Sequence, residues 1–177
     1  EGEKRNPEVK IESFFGVSEA NIEEYTEILT ELMSEAPTLE EDEERDKEII
    51  TPDRFREYVQ FLAEKKQKLF TFRTIEPDGK VSGLTEIRFT HVNTPIIIEQ
   101  ALTGVRSNYR GRGLGKWLKA AMLVFIRENF HEAKYFITGN ADHNAPMLSI
   151  NNRLGFKPYR QRISYKFVID NLKKKID

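Results

Sequence analysis

One stretch of nine residues, Asn-Tyr-Arg-Gly-Arg-Gly-Leu-Gly-Lys at positions 108–116, limits the possible folds more than any other part of the chain. The β-branched run Ile96–Val105 precedes it and predicts a strand, and residues 114–125 follow it with an apolar stripe of helical period. Glycines at alternate positions let backbone N–H groups turn toward one point at the start of that helix, where the helix dipole favours negative charge. The segment therefore predicts a strand, an anion-binding turn and a helix in succession.

This turn differs from the two familiar nucleotide-binding loops. Gly111 and Gly115 enclose three residues where the P-loop has four, and Trp117 stands where the P-loop has a Ser or Thr. Lys116 occupies the position of the third glycine in the dinucleotide-binding fingerprint. Spacing alone leaves two interpretations open, which are a phosphate-binding turn and a glycine-rich turn that only begins a helix.

The other patterns predict an α+β, or mixed α/β, fold in which helices flank a largely antiparallel mixed sheet. A length of 177 residues fits a single domain, residues 1–177. The expected strands are Val9–Phe15, Leu69–Ile75, Val81–Phe89, Ile96–Val105, Tyr135–Gly139 and Ile163–Ile169. The expected helices follow Ser18 as an N-cap, Thr51 before Pro52, Gly113, and the start of the segment Asn144–Leu154. The expected buried residues of the first two helices are Ile22, Tyr25, Leu29, Leu32, Met33, Phe55, Tyr58, Val59 and Leu62.

Composition excludes several classes of function. The chain has no cysteine, and 28 Lys plus Arg against 29 Asp plus Glu give no general attraction for nucleic acid or anionic lipid. The longest apolar run, Ala120–Ile126, is too short to cross a membrane. The arginines of Arg106–Arg112 do not by themselves indicate RNA binding, and His91, His131 and His143 lack metal-ligand spacing. We expect a cytoplasmic protein with no metal and no nucleic-acid or membrane partner.

Two further segments have simple interpretations. Thr38–Glu48 has nine charged residues, seven of them acidic, and is interpreted as a solvated loop or as a screen for a cationic substrate. Residue 1 is Glu and not Met, so the chain is compatible with a preceding domain.

Two blocks of the sequence resemble the GNAT acetyltransferase superfamily. Arg110, Gly113 and Gly115 match its Arg-x-x-Gly-x-Gly turn, between a central strand and the longest helix. Asn140, Asn144 and the run Asn-Asn-Arg-Leu-Gly-Phe at 151–156 resemble its short helix that ends in Gly-Phe. The segments Gln-Ala-Leu-Thr-Gly-Val at 100–105 and Asn-Ala-Pro-Met-Leu-Ser-Ile-Asn at 144–151 are also similar to the C-terminal halves of tandem GNAT proteins such as mycothiol synthases. The resemblance covers about Val9 to Ile169.

The resemblance implies that acetyl-CoA is the acyl donor and that backbone N–H groups hold its pyrophosphate. Gly104 inside a strand suits a bulge or a close approach of the pantetheine arm. Asn144 and Asn151 lie two helical turns apart and share a face with Met147, although Asn144 is equally well explained as a helix cap. The cofactor-binding residues expected on this basis are Leu102, Thr103, Gly104, Val105, Arg110, Gly111, Arg112, Gly113, Leu114, Gly115, Lys116, Asn144 and Asn151.

Acetyl transfer to an amine needs a proton acceptor, because an alkyl amine with a pKa of about 10.4 is protonated at neutral pH. Glu99 lies eleven residues before Arg110, the spacing of the catalytic glutamate in histone-acetylating GNAT enzymes, and follows three isoleucines. Two other interpretations are that Glu99 points to solvent and that Glu86, on the neighbouring strand, is the base. The resemblance assigns the oxyanion-binding N–H to Thr103.

The expected general acid is missing. Many GNAT enzymes have a Tyr four residues before the Gly of Gly-Phe, which protonates the leaving thiolate, and here that residue is Asn151. An amide does not release a proton at neutral pH, so water, the substrate ammonium or Tyr159 would have to serve.

These observations predict an N-acetyltransferase that moves an acetyl group from acetyl-CoA to a primary amine of a small molecule or protein by direct transfer. The alternative is a non-catalytic module that binds CoA or packs in a larger tandem GNAT protein. A homodimer is compatible with either function.

Overall fold

The computed structural model describes residues 1–37, 49–90, 97–163 and 165. Its strands are β1 (Lys10–Phe15), β2 (Gln67–Ile75), β3 (Val81–Thr90), β4 (Ile97–Val105) and β5 (Tyr135–Ile137). Its helices are α1 (Gly2–Arg5), α2 (Ile22–Ser34), α3 (Pro52–Glu64), α4 (Leu114–Asn129) and α5 (Ala145–Arg153).

The strands form one sheet in the order β1-β2-β3-β4-β5. Strands β1 to β4 pair with one another in antiparallel order, and β5 pairs with β4 in parallel. This arrangement confirms the mixed, largely antiparallel sheet with flanking helices. The acidic segment and all of the sixth expected strand except Ile163 and Tyr165 lie outside the described residues.

Helices cover both faces of the sheet and divide the core in two. On one face, α2 and α3 pack against Leu69, Val81 and Leu84 of the sheet. On the other, α4 packs with Leu118 and Met122 against strand residues that alternate with the first set. Those strand residues are Phe70, Phe72, Ile87, Phe89 and Ile98.

Several local predictions are confirmed and a few are wrong. Thr51 caps α3 by accepting a hydrogen bond from the N–H of Arg54. Ser18 makes no side-chain cap, because a 3₁₀ turn, Glu19–Asn21, precedes α2. Met33 and Val59 were expected in the core but are exposed, since each lies at the edge of its helix's apolar stripe.

Strand β4 leaves regular pairing at two points. Thr85 pairs with Thr103 and Ile87 with Gln100, so two residues of β4 lie opposite Glu86 alone, which is a bulge. The pairing of β4 with β5 ends at Glu99 and Ile137. Beyond this point residues 100–105 have no strand partner on that side among the described residues, and this free edge of β4 is called the gap.

The bulge is not at Gly104, where the sequence suggested one. A Cβ atom at Gly104 would lie 2.9 Å from both methyl carbons of Leu32. Glycine leaves room here for the Leu32 side chain of α2, which a Cβ would displace.

Candidate active site

The glycine turn between β4 and α4 presents a row of free backbone donors. Gly111 and Gly113 have φ of 80° and 85°, a conformation that strongly favours glycine. The N–H groups of residues 111–116 donate no hydrogen bond to any residue that the structure describes, and the first bonded N–H is that of Trp117, to the Gly113 carbonyl. The N-terminus of a 16-residue helix thus forms a cradle of main-chain donors, which suits an anion such as a diphosphate.

The cationic side chains around this cradle are bound to acidic side chains of the protein. Each forms an ion pair, and two also bond to backbone or amide oxygens nearby. The pairs are Arg110 with Glu35, Arg112 with Glu76 at 3.0 Å, and Lys116 with Glu1 at 3.0 Å. The side chains therefore hold the turn in place, and anion binding would depend on the backbone.

The N-terminal segment packs on the same turn, which the sequence did not predict. The buried Asn6 side chain donates to the Arg112 carbonyl at 3.3 Å and accepts from the Arg112 guanidinium at 3.1 Å. Gly2 lies against Trp117, where a Cβ would fall 2.2 Å from the ring's Cγ. These contacts support the outer side of the cradle.

The two asparagines assigned to the cofactor have different roles in the fold. Asn144 accepts a hydrogen bond from the N–H of Met147 at 3.2 Å and is the N-cap of α5, which was the competing explanation for it. Asn151 is buried, accepts from the Nζ of Lys119 at 2.6 Å and donates to Asn140 at 2.9 Å. Only Asn151 belongs to a buried polar network that joins α4, α5 and the chain after β5.

Lys119 is a feature that the sequence argument missed. Its side chain is 0% exposed, and no acidic group among the described residues lies within ion-pair distance. Its Nζ is 5.0 Å from the centre of the Phe156 ring, and burial lowers the pKa of the ammonium to about 8. The available signal was its position directly after Leu118, at the edge of the apolar stripe of α4.

Glu86 lies on the opposite face of the sheet, under α2. Glu86 is 6% exposed, and the hydroxyl of Tyr25 donates a hydrogen bond to Oε1 of its carboxyl group. Burial raises the pKa of Glu86 to about 7, against the opposing effects of the Tyr25 bond and the charge of Arg88. Thr71 lies 3.1 Å from the Tyr25 oxygen and completes the cluster. A carboxyl group with this pKa can accept and release a proton near neutral pH.

The structure places Glu99 in a different environment from Glu86. The Glu99 side chain is 57% exposed, and its nearest cation is Arg88, at 3.9 Å on the paired strand. Strand alternation explains this, because Ile98 turns into the core and Glu99 turns away from it. Of the two sequence candidates for the base, only Glu86 is held in a defined buried position.

Residues 102–105 border the gap beside β4. The Thr103 hydroxyl lies 2.7 Å from that of Thr85, and Gln100 donates to it at 2.5 Å. Leu102 is half-buried against the α2 side of the core, and Val105 lies near the cradle, with its Cγ2 3.6 Å from the position that a Cβ of Gly115 would take. Tyr159 is 82% exposed.

The described residues lack a metal-binding cluster and a membrane-spanning helix. In ranges 1–37, 49–90 and 97–163, no three His, Asp or Glu side chains lie close enough together to bind a metal ion. No described helix combines the length and the apolar character that spanning a membrane requires.

The cradle, the gap in the sheet and the flanking helices define an acetyltransferase fold, and comparison with known proteins identifies the family. The model of the acetyltransferase (GNAT) family matches residues 25–156, so the chain belongs to that family. It is 31% identical over 93 residues to a mycothiol acetyltransferase of Arthrobacter sp. (strain FB24), covering 51% of this chain and 28% of that protein.

Solved structures share the fold at low sequence identity. A tandem GNAT protein from the clavulanic acid biosynthesis pathway superposes with a TM-score of 0.68 at 21% identity, over 86% of this chain and 43% of that one. The aminoglycoside N-acetyltransferase AAC(6')-Iy in complex with CoA superposes with a TM-score of 0.60 at 18% identity. The match covers 90% of this chain and 94% of that one. The chain thus spans less than half of the tandem protein and under a third of the mycothiol acetyltransferase.

Proposed function

We propose that this protein transfers an acetyl group from acetyl-CoA directly to a primary amine of a small molecule or a peptide. The observation that carries the proposal is the row of free N–H groups at residues 111–116, next to the gap where β4 and β5 separate. A diphosphate needs several convergent donors, and this cradle supplies them without using a side chain. We also propose that residues 1–177 form one domain of a cytoplasmic protein.

The chain's own groups divide the binding of acetyl-CoA between them. The N–H groups of residues 111–116 would bind the pyrophosphate, and residues 102–105 and Asn151 would line the pantetheine arm. Acetyl-CoA supplies the activated acyl group as a thioester. The backbone N–H of Thr103, on the part of β4 that pairs with β3 but no longer with β5, is the proposed donor to the oxyanion.

Glu86 is the proposed proton acceptor. The incoming amine must lose a proton before it can attack, and the carboxylate of Glu86 has a pKa of about 7 that suits this transfer. Its position opposite the β4 bulge places it beside the strand that borders the gap. Glu99 stays the second candidate for the proton acceptor. Its exposed carboxyl group would pass the proton directly to solvent.

The acceptor is proposed only as a class. Neighbouring folds include a structure with a bisubstrate analogue of CoA and acetylneamine, and another in complex with sisomicin. Both molecules are ligands of those proteins. A primary amine is the corresponding proposal for this chain.

Calorimetric titration with CoA and acetyl-CoA tests the cradle. Gly113→Val and Gly79→Val are a matched pair, because both glycines have nearly the same positive φ, 85° and 86°, and only Gly113 lies in the cradle. A β-branched residue is strained at such a φ. We expect parent and Gly79→Val to bind CoA alike and Gly113→Val to bind about tenfold or more weakly. Failure of the parent to bind CoA, or equal binding by both variants, would overturn the proposal.

The alternative is a non-catalytic CoA-binding or packing module of a larger protein. The observation that favours it is Asn151 at the usual position of the tyrosine acid, together with a tandem relative that this chain covers to 43%. Release of CoA thiol from acetyl-CoA with a panel of primary amines separates the two functions. CoA binding without thiol release for any amine would support the module.

A further inference from the structure

The buried ammonium of Lys119 lies next to Asn151, which occupies the position of the missing tyrosine acid. Lys119 Nζ is 2.6 Å from Oδ1 of Asn151, the residue that replaces the tyrosine. We propose that Lys119 is a positioning residue whose ammonium fixes the Asn151 amide and, together with it, stabilises the thiolate of CoA as it leaves. This inference rests on the proposed function, because it concerns the same acetyl-CoA site.

The ammonium sets the direction of every bond in the network. A lysine ammonium can only donate, so Asn151 must accept with its oxygen and donate with its Nδ2. That Nδ2 donates to Asn140 Oδ1 at 2.9 Å, and Asn140 donates in turn to the Ala141 carbonyl at 3.0 Å. One N–H of the Asn151 amide has no partner among the described residues. The network thus holds a free donor on Asn151 in a fixed orientation.

The charge itself has no counter-ion in the described part of the chain. Lys119 is fully buried, and its contacts are an amide oxygen, the Met147 sulfur at 3.8 Å and the Phe156 ring. Burying an unpaired charge is costly, and an anion that arrives beside it offsets the cost. Because the pKa of Lys119 is about 8, its ammonium is still the main form at pH 7. The positive charge would stabilise a thiolate, whose thiol ordinarily has a pKa of about 8.5.

The network borders the gap in the sheet. Asn140 follows β5 shortly after its pairing with β4 ends at Ile137. Ile150, next to Asn151 in α5, comes within 3.4 Å of the position where a Cβ of Gly115 would lie. Asn140, at one end of the network, thus follows the strand that pairs with β4, and Asn151, at the other, lies in the helix that approaches the cradle at Gly115.

The step balances without a proton from Lys119. The carbon–sulfur bond of the tetrahedral adduct breaks and its electron pair stays on sulfur. The amine loses one proton to Glu86 before it attacks, and its nitrogen loses a second proton as the amide forms; both protons pass to solvent. The thiolate stays beside the ammonium until CoA leaves and is protonated by water.

Titration of the CoA thiol bound to the protein, followed by the ultraviolet absorbance of the thiolate, tests this inference. The parent should lower the pKa of bound CoA thiol by about one pH unit or more relative to free CoA. Lys119→Met, which is similar in length but neutral, should abolish the shift, and Lys119→Arg should keep part of it. Desulfo-CoA, which lacks the thiol, should bind parent and Lys119→Met with equal affinity.

Each contrary result has a separate meaning. An unshifted thiol pKa in the parent overturns the inference even if Lys119→Met does not fold. A shift that survives in folded Lys119→Met overturns it too, as does an equal loss of CoA and desulfo-CoA binding, which indicates a structural role alone. Failure of the parent to bind CoA overturns the proposed function and the inference with it.

Discussion

One face of the central sheet buries a carboxyl group and the other buries an amine. Neither group forms an ion pair with a described residue. Glu86 lies under α2 with a pKa raised to about 7, and Lys119 lies between α4 and α5 with a pKa lowered to about 8. Burial is the leading cause of both shifts. Burial thus shifts the pKa of an acid and the pKa of a base toward neutral pH from opposite directions, on opposite faces of one sheet.

A third buried charge shows the contrast. Glu76 is also buried, but Arg112 binds it at 3.0 Å and links the β2–β3 turn to the glycine turn. A paired charge of this kind fixes structure. The comparison indicates that Glu86 and Lys119, which lack such a partner, are the groups available for a proton or an anion.

The largest expected effect separates Glu86 from Glu99. Glu86→Gln removes the proposed base and should lower kcat about 100-fold or more with little change in KM for acetyl-CoA. Glu99→Gln, the matched control on the neighbouring strand, should stay within about threefold of the parent, a factor that loss of a general base would exceed. Steady-state rates of CoA thiol release at saturating amine provide the measurement. The reverse ranking would move the catalytic role to Glu99.

The pH dependence of stability should differ in sign between the two faces. Between pH 4.5 and 7 the folded state holds the Glu86 proton that the unfolded state has lost, so stability falls as pH rises, by about 3 kcal/mol in total. Between pH 8 and 10.5 folded Lys119 has lost a proton that the unfolded chain keeps, so its contribution rises with pH. Urea unfolding of the parent, Glu86→Gln and Lys119→Met across this range isolates each contribution. A difference between parent and Glu86→Gln that is independent of pH would contradict the account.

A smaller effect is expected from Tyr25. Its hydroxyl donates to Glu86 and favours the carboxylate, and burial raises the pKa of Tyr25 so that it stays a donor. Tyr25→Phe should therefore raise the pKa of Glu86 and lower kcat at pH 7 about threefold to tenfold, with recovery as pH rises. The rate measured from pH 6 to 9 tests this. An equal loss at every pH would indicate a packing defect.

The local parts of the fold could be predicted from sequence. The glycine turn lies between a strand and a helix as expected, because periodicity and backbone freedom act over a few neighbouring residues. Thr51 and Pro52 likewise begin α3 as expected.

The electrostatic features could not be predicted in the same way, because they depend on distant residues. Tyr25 lies 61 positions from Glu86, and Asn151 lies 32 positions from Lys119. The isoleucines before Glu99 suggested an apolar setting, but side chains on a strand alternate between faces, and Glu99 lies on the exposed side with Ile97 and not on the buried side of Ile98. Sequence neighbours therefore misrepresented the environment of Glu99, and only the fold revealed that of Glu86.

The most direct test of the account is a ¹³C NMR titration of the glutamate side-chain carboxyls in the parent protein, with Glu86→Gln used to assign the Glu86 signal. The account predicts that Glu86 titrates with a midpoint near pH 7. A Glu86 signal that titrates below pH 5, like that of an exposed glutamate, would contradict the claim that this buried carboxyl accepts the proton.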